Sequence, residues 1–111
     1  HPERCEVPIQ PLDIETLGQV SFAAPDRENF PALDLCYQAG QIGGTAPAVL
    51  NAANEVAVQA FCDEQIGFTD ITRLVGCTMD AHKLQDHPSL DQIIAADAWA
   101  RDYSTRAFQP A

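Results

Sequence analysis

Apolar residues along the chain recur three and four positions apart in four separate stretches, and the breaks between stretches carry proline or glycine. That spacing is helical. The run Phe30-Pro31-Ala-Leu33-Asp-Leu35-Cys36-Tyr37 puts proline at a helix start and predicts a helix over residues 30–42, stopped by Gly43 and Gly44. A second helix runs from Thr45, read as its cap, to about Gln65, with Gly67 closing it. Pro47 falls in its first turn, where a missing N–H costs nothing. Val49, Leu50, Ala53, Val56, Ala57, Ala60 and Phe61 form its apolar stripe, and Asn51, Asn54 and Glu55 lie together off that stripe. The third helix follows Phe68-Thr69-Asp70, with Thr69 as the expected cap, Asp70 favourable at the positive helix end, and a stripe of Ile71, Leu74, Val75, Thr78 and Met79. Gln85-Asp-His-Pro88 breaks it. Ser89 with Gln92 three residues on is a capping-box pattern for a fourth helix carrying Leu90, Ile93, Ile94, Ala98 and Trp99 and fading near Phe108.

Four helices joined by short connections favour antiparallel neighbours, because each apolar stripe needs another to cover it. The expected fold is therefore all-α, a small four-helix bundle over residues 26–111, preceded by an extended N-terminal linker arm over residues 1–25. Pro2, Pro8, Pro11 and Pro25 bar regular helix from that arm, while Leu17, Val20 and Phe22 are expected to pin it by local apolar contacts. Alternation at Val20 and Phe22 suggests at most one edge strand, and a lone strand is not a sheet. A start at His1 without methionine reads as a cut inside a longer protein.

Charge narrows the partners. Sixteen acidic residues against six basic ones leave a net charge of −10, which repels phosphate backbones and anionic headgroups, so neither nucleic acid nor a membrane is an expected partner. No apolar run approaches bilayer-spanning length, and no charged-then-apolar leader precedes the helices; a bacterial cytoplasmic location is the expectation. Cys5, Cys36, Cys62 and Cys77 lie 31, 26 and 15 residues apart, without the close pair of a zinc knuckle or redox dithiol. Cys36 and Cys62 read as small buried hydrophobes in a reducing compartment. Cys77 has a more polar neighbourhood.

Candidate chemistry is sparse. Asp63, Glu64, Asp70, Asp80, Asp86 and Asp91 fall at helix ends or outer faces, as solvated charges do. A bundle-core metal site needs inward glutamates and a Glu-x-x-His pattern, but Met79 stands at that offset from His82 and the second helix supplies Glu55 alone. A His82 or His87 pairing with Cys77 or Ser89 for nucleophilic chemistry is outweighed by helix capping. Gly43-Gly44 matches neither the dinucleotide nor the P-loop glycine pattern. No catalytic, cofactor-binding or metal-binding residue is assigned. Asn51, Asn54 and Glu55 remain as candidate interdomain docking residues, because asparagine is a mediocre helix former and two in four positions gain nothing in water. Two other readings stand beside this one: a free-standing acidic helical interaction module, and an acyl-carrier-like protein with its arm on Ser89.

The run Gly43-Gly-Thr-Ala-Pro-Ala-Val-Leu-Asn-Ala-Ala-Asn-Glu-Val-Ala-Val58 carries a family likeness. With Phe61, Ile66-Gly-Phe68, Asp70-Ile71, Pro2-Glu3-Arg4, Pro11-Leu12-Asp13, and the Leu17 to Asp26 segment, it resembles the linker and C-terminal domain of the 1-deoxy-D-xylulose 5-phosphate reductoisomerases. The resemblance implies a parent enzyme of non-mevalonate isoprenoid biosynthesis that uses NADPH and Mg2+ or Mn2+ to make 2-C-methyl-D-erythritol 4-phosphate. It also implies that NADPH binds an N-terminal domain and that a central domain, carrying the signature Asn-Lys-Gly-Leu-Glu, supplies the metal ligands, the phosphate site and the dimer contact. That signature has no counterpart here. The chain is thus expected to be inactive alone, to support the central catalytic domain of a homodimeric parent, and to self-associate when isolated.

Overall fold

A computed structural model describes residue 3 and residues 8–108. All regular structure among them is helical: α1 (Ile14–Leu17), α2 (Ala32–Ile42), α3 (Ala46–Cys62), α4 (Phe68–Ala81) and α5 (Leu90–Phe108). The four long helices are those the periodicity predicts. The fifth is a single turn in the arm, where Asp13 accepts the N–H groups of Glu15 at 3.0 Å and Thr16 at 3.3 Å. Gly18, at φ +68°, stops the helix after this one capped turn.

α3 is the central helix, in contact with α2, α4 and α5. Its buried face is small: Ala46, Val49, Ala52, Ala53, Ala57 and Ala60. Val49 and Ala52 pack on Ala96 and Ala100 of α5, with Met79 and Trp99 at the margin. Ala53 and Ala57 pack on Leu74 and Val75 of α4, and Leu35 of α2 closes that cluster. Alanine faces let backbones approach closely, so many weak dispersion contacts replace a few large side chains. Where α4 meets α5, the buried Thr78 hydroxyl donates to the Leu74 carbonyl at 2.9 Å, so Ser104 Oγ, also 2.9 Å away, donates to Thr78.

Several expected details differ. Leu17, Val20 and Phe22 do not pin the arm: all three are exposed, Phe22 at 93%. Their apolar contacts would need polypeptide other than these helices. On α5 the buried residues are Ala96, Ala100 and Ser104, while Leu90, Ile94 and Ala98 face outward. The helix docks through its smallest side chains because α3 presents alanine opposite. Cys36 and Cys62 are exposed free thiols, as is Cys77, because each lies on the outward side of its helix; Cys5 lies outside the described residues.

The caps differ too. Thr45 does not cap α3 with its side chain. Pro47 removes one of the two amides such a cap would serve, and the Thr45 hydroxyl bonds elsewhere. Gly67 does not close α3; it precedes α4, and Asp70, not Thr69, caps by accepting the Gly67 N–H at 2.9 Å. α3 ends earlier, in a Schellman turn: Gln65 N–H donates to the Ala60 carbonyl at 2.9 Å and Glu64 N–H to the Phe61 carbonyl at 3.0 Å. Glu64 occupies the left-handed position that glycine usually fills, at φ 58°. Ser89 and Gln92 do form the expected box, Ser89 N–H donating to Gln92 Oε1 at 2.8 Å and Gln92 N–H to Ser89 Oγ at 3.3 Å.

Gly44 marks where the connector between α4 and α5 crosses the joint between α2 and α3. A Cβ placed on it would stand 2.2 Å from the Gln85 carbonyl oxygen, and its φ is +55°. Thr45 N–H donates to that same carbonyl at 3.1 Å. Gly43, at φ +71°, has open space around it.

Two substitutions check these points. Glu64→Gly relieves a left-handed strain of about 1–2 kcal/mol against a smaller gain in unfolded-chain entropy, so Tm rises by a few degrees in a thermal melt. Gly44→Ala adds a backbone clash to the same strain and destabilises by about 3 kcal/mol in urea titration, whereas Gly43→Ala costs only about 1 kcal/mol.

Candidate interdomain docking surface

Asn51, Asn54 and Glu55 project from the first half of α3 on the side away from Ala53 and Ala57, and all three are exposed. Spacings of three, four and one residues bring them onto one helix face. The Asn51 amide donates to Glu55 Oε1 at 2.9 Å. Glu55 Oε2 in turn accepts from Arg101 Nη2 of α5 at 2.8 Å. Arg101 is the hub, because its Nε also donates to Asp97 Oδ2 at 2.7 Å and its Nη2 to Asp97 Oδ1 at 3.1 Å, one turn back on α5.

Electrostatics follow from that geometry. The Arg101 hydrogen bond, then the Asn51 hydrogen bond and the Arg101 charge, hold the Glu55 carboxyl below the usual carboxylate range. Arg101 is pushed up by Asp97 and Glu55, so it is charged at every accessible pH. A depressed carboxyl contributes stability above its unfolded pKa near 4.5 that is lost as pH falls through the folded value. Beyond this chain of polar groups, Asn54, Glu55, Gln59, Asp63, Arg101 and Phe108 border an open groove of about 630 Å³ between α3 and α5.

The face is therefore partly internal. Glu55 and Asn51 already serve an α3–α5 strap, which the sequence reading missed. Half of it was legible, since Asp97 and Arg101 stand at i and i+4 on one helix. The reach of Arg101 across to Glu55 depends on how α5 lies on α3. The outward side of Asn54 and the free lone pairs of Glu55 remain presented to solvent.

His82 and Ser89 are also placed. Ser89 is engaged in its capping box. His82 ends α4 with its ring against Trp99, centroids 5.0 Å apart, and Nε2 2.7 Å from Thr45 Oγ1. Among the described residues no three His, Cys, Asp or Glu side chains converge as a metal would require. No described helix is long and apolar enough to cross a membrane.

Residues 1–103 match the family described as the DXP reductoisomerase C-terminal domain. The chain belongs to that family. It is similar to the 1-deoxy-D-xylulose 5-phosphate reductoisomerase of Chlorobium phaeobacteroides strain BS1, 54% identical over 101 residues covering 91% of this chain and 26% of that one. The Moorella thermoacetica enzyme of the same name is 52% identical over 100 residues, 90% of this chain and 26% of its own. Among solved structures, the Zymomonas mobilis reductoisomerase in complex with NADPH superposes with a TM-score of 0.86 at 43% identity, covering 99% of this chain and 29% of that one. A DOX-P reductoisomerase in complex with NADPH, fosmidomycin and magnesium gives 0.82 at 35% identity, over 96% and 28%. The chain thus spans about a quarter of the length of the curated relatives it matches. Membership of the C-terminal-domain family agrees with the all-α architecture.

Replacing Arg101 with alanine separates the strap from the rest. The variant melts a few degrees lower at low ionic strength, and the difference shrinks in about 1 M salt, where charges at the surface are screened within a few ångströms. The same variant flattens the fall of Tm with pH below about 4.5.

Proposed function

We propose that this chain is the supporting C-terminal domain of a 1-deoxy-D-xylulose 5-phosphate reductoisomerase, with residues 1–25 as the linker and residues 26–111 as the helical domain. The parent reduces and isomerises that sugar phosphate to 2-C-methyl-D-erythritol 4-phosphate with NADPH and Mg2+ or Mn2+, in the bacterial cytoplasm, as a homodimer. The observation that carries the reading is the match of residues 1–103 to the C-terminal domain family, together with relatives in which the matched region is about a quarter of the polypeptide. The solved relatives named for NADPH, fosmidomycin and magnesium support the assignment of cofactor and metal to the parent.

In this reading the chain contributes backing and not reacting groups. Metal and phosphate ligands must be held within fractions of an ångström, and a rigid body packed behind them reduces the reorganisation that turnover would otherwise require. Asn51, Asn54 and Glu55 are the docking residues toward the central domain, with Asn54 the member that no strap to Arg101 engages. The exposed apolar side chains of the arm, Ile9, Leu12, Ile14 and Phe22, are the other half of the docking, covered in the parent by the central domain. Left uncovered, they drive self-association of the isolated chain.

A chimera tests both parts. The Chlorobium phaeobacteroides enzyme carrying this chain in place of its matching quarter is expected to oxidise NADPH with 1-deoxy-D-xylulose 5-phosphate and magnesium, and the same enzyme lacking that quarter is not. In the chimera, alanine at Asn51, Asn54 and Glu55 together lowers kcat by about tenfold or more and weakens magnesium binding. Turnover, metal affinity and Tm all unchanged would remove these three residues from the docking surface.

A further inference from the structure

Thr45 is wholly buried at the joint between α2 and α3, and its hydroxyl serves two neighbours. It accepts the Gln85 backbone N–H at 3.2 Å and lies 2.7 Å from His82 Nε2. A hydroxyl has one hydrogen to give, and among the described residues Nε2 is the acceptor within reach. Full use of the Thr45 hydroxyl therefore requires Nε2 to be unprotonated, with the imidazole hydrogen on Nδ1.

The same three residues close the crossing at Gly44. Thr45 N–H donates to the Gln85 carbonyl at 3.1 Å, so Thr45 and Gln85 hold each other twice, once through backbone and once through the hydroxyl that His82 orients. The ring itself sits between two small cavities. Ile42 of α2, Val49 of α3, Met79 of α4 and Trp99 of α5 border them, all uncharged, and Lys83 in the connector is the charged residue at their edge. Asp80, Asp86 and His87, the titratable groups nearest along the chain, are exposed.

We propose that His82 is an acid-sensitive latch: its neutral ring fastens the connector of residues 82–89 to the Gly43–Gly44 joint, and protonation releases that connector while the bundle stays folded. With a proton on Nε2, both neighbours of the Thr45 hydroxyl are donors, its own hydrogen is orphaned in the interior, and a cation borders the apolar side chains of Val49 and Met79. Burial pushes the His82 imidazole below its usual range. A base whose folded pKa is depressed contributes fully above the unfolded value of 6.5 and loses that contribution as pH falls through the folded one. The latch is closed at neutral pH and opens in mild acid.

Nuclear magnetic resonance on the whole 111-residue chain reads this directly. Between about pH 8 and pH 5, His82 titrates with a midpoint below 6.5 from the Nδ1–H tautomer, and hydrogen-exchange protection of the Gln85 amide falls about tenfold with the same midpoint. Protection at Ala53 in the core is unchanged. Trp99 emission, from the one tryptophan of the chain, drops in step as an imidazolium replaces the neutral ring tilted against it, centroids 5.0 Å apart. His82→Gln, uncharged throughout, removes the pH dependence at Gln85. An Nε2–H tautomer, a midpoint at or above 6.5, or a titration that leaves Gln85 protection intact would each overturn the latch. Loss of Ala53 protection together with Gln85 would do so as well, by showing global unfolding. If His82→Gln does not fold, the titration of the native chain decides alone.

Discussion

Close approach to α3 is the constraint on which the rest of this structure depends. Every other long helix leans on α3, and its buried face offers little more than methyl groups at Ala46, Ala52, Ala53, Ala57 and Ala60. A helix that presents alanine demands that its neighbours come near, since dispersion falls steeply with separation. α5 complies by docking through Ala96, Ala100 and Ser104, and the connectors comply by letting backbone touch backbone at Gly44. Closeness then brings side chains together that no local pattern pairs, among them Thr78 with Ser104, Arg101 with Glu55 and His82 with Thr45.

This economy has a consequence for function. A core of small side chains buries modest apolar area per residue, so the larger residues displaced from it, Leu90, Ile94, Phe61 and Phe68, remain at the surface with the arm. Such a body is well suited to be one layer of a larger assembly. Its net charge of −10 disfavours contact with phosphate backbones and anionic lipid, while the apolar side chains of its arm and the polar face of α3 are exposed. The support role proposed for this chain asks for rigidity and for a complementary surface.

The helices and their order were legible from periodicity and glycine punctuation, because a 3.6-residue repeat over eleven to nineteen residues is a strong signal. The family was legible from one run, residues 43–58, whose glycines and proline are demanded by the joint they build. The errors share a cause. Leu90 and Ile94 were expected inside on hydrophobicity, Cys36 and Cys62 on residue type, and Thr69 as a cap on composition. On α5, Ala96 and Ala100 took the buried positions by their small size, Asp70 caps α4 by its reach back to Gly67, and Cys36 and Cys62 lie on the outward sides of their helices. Of the candidate site, the shared face of Asn51, Asn54 and Glu55 was readable from spacing, whereas the partner of Glu55 was not.

By itself the sequence determined four amphipathic helices, the glycine joint between α2 and α3, the Ser89–Gln92 cap, the negative charge and the family, since all of these arise from residues within one helical turn or from one contiguous run. Only the tertiary structure decided which face of α5 is buried, that Gly44 must be glycine because Gln85 lies against it, and that Arg101 and His82 bind across helices. Those outcomes depend on the distance and rotation between elements, and side-chain size at the contact sets both only once the helices have met.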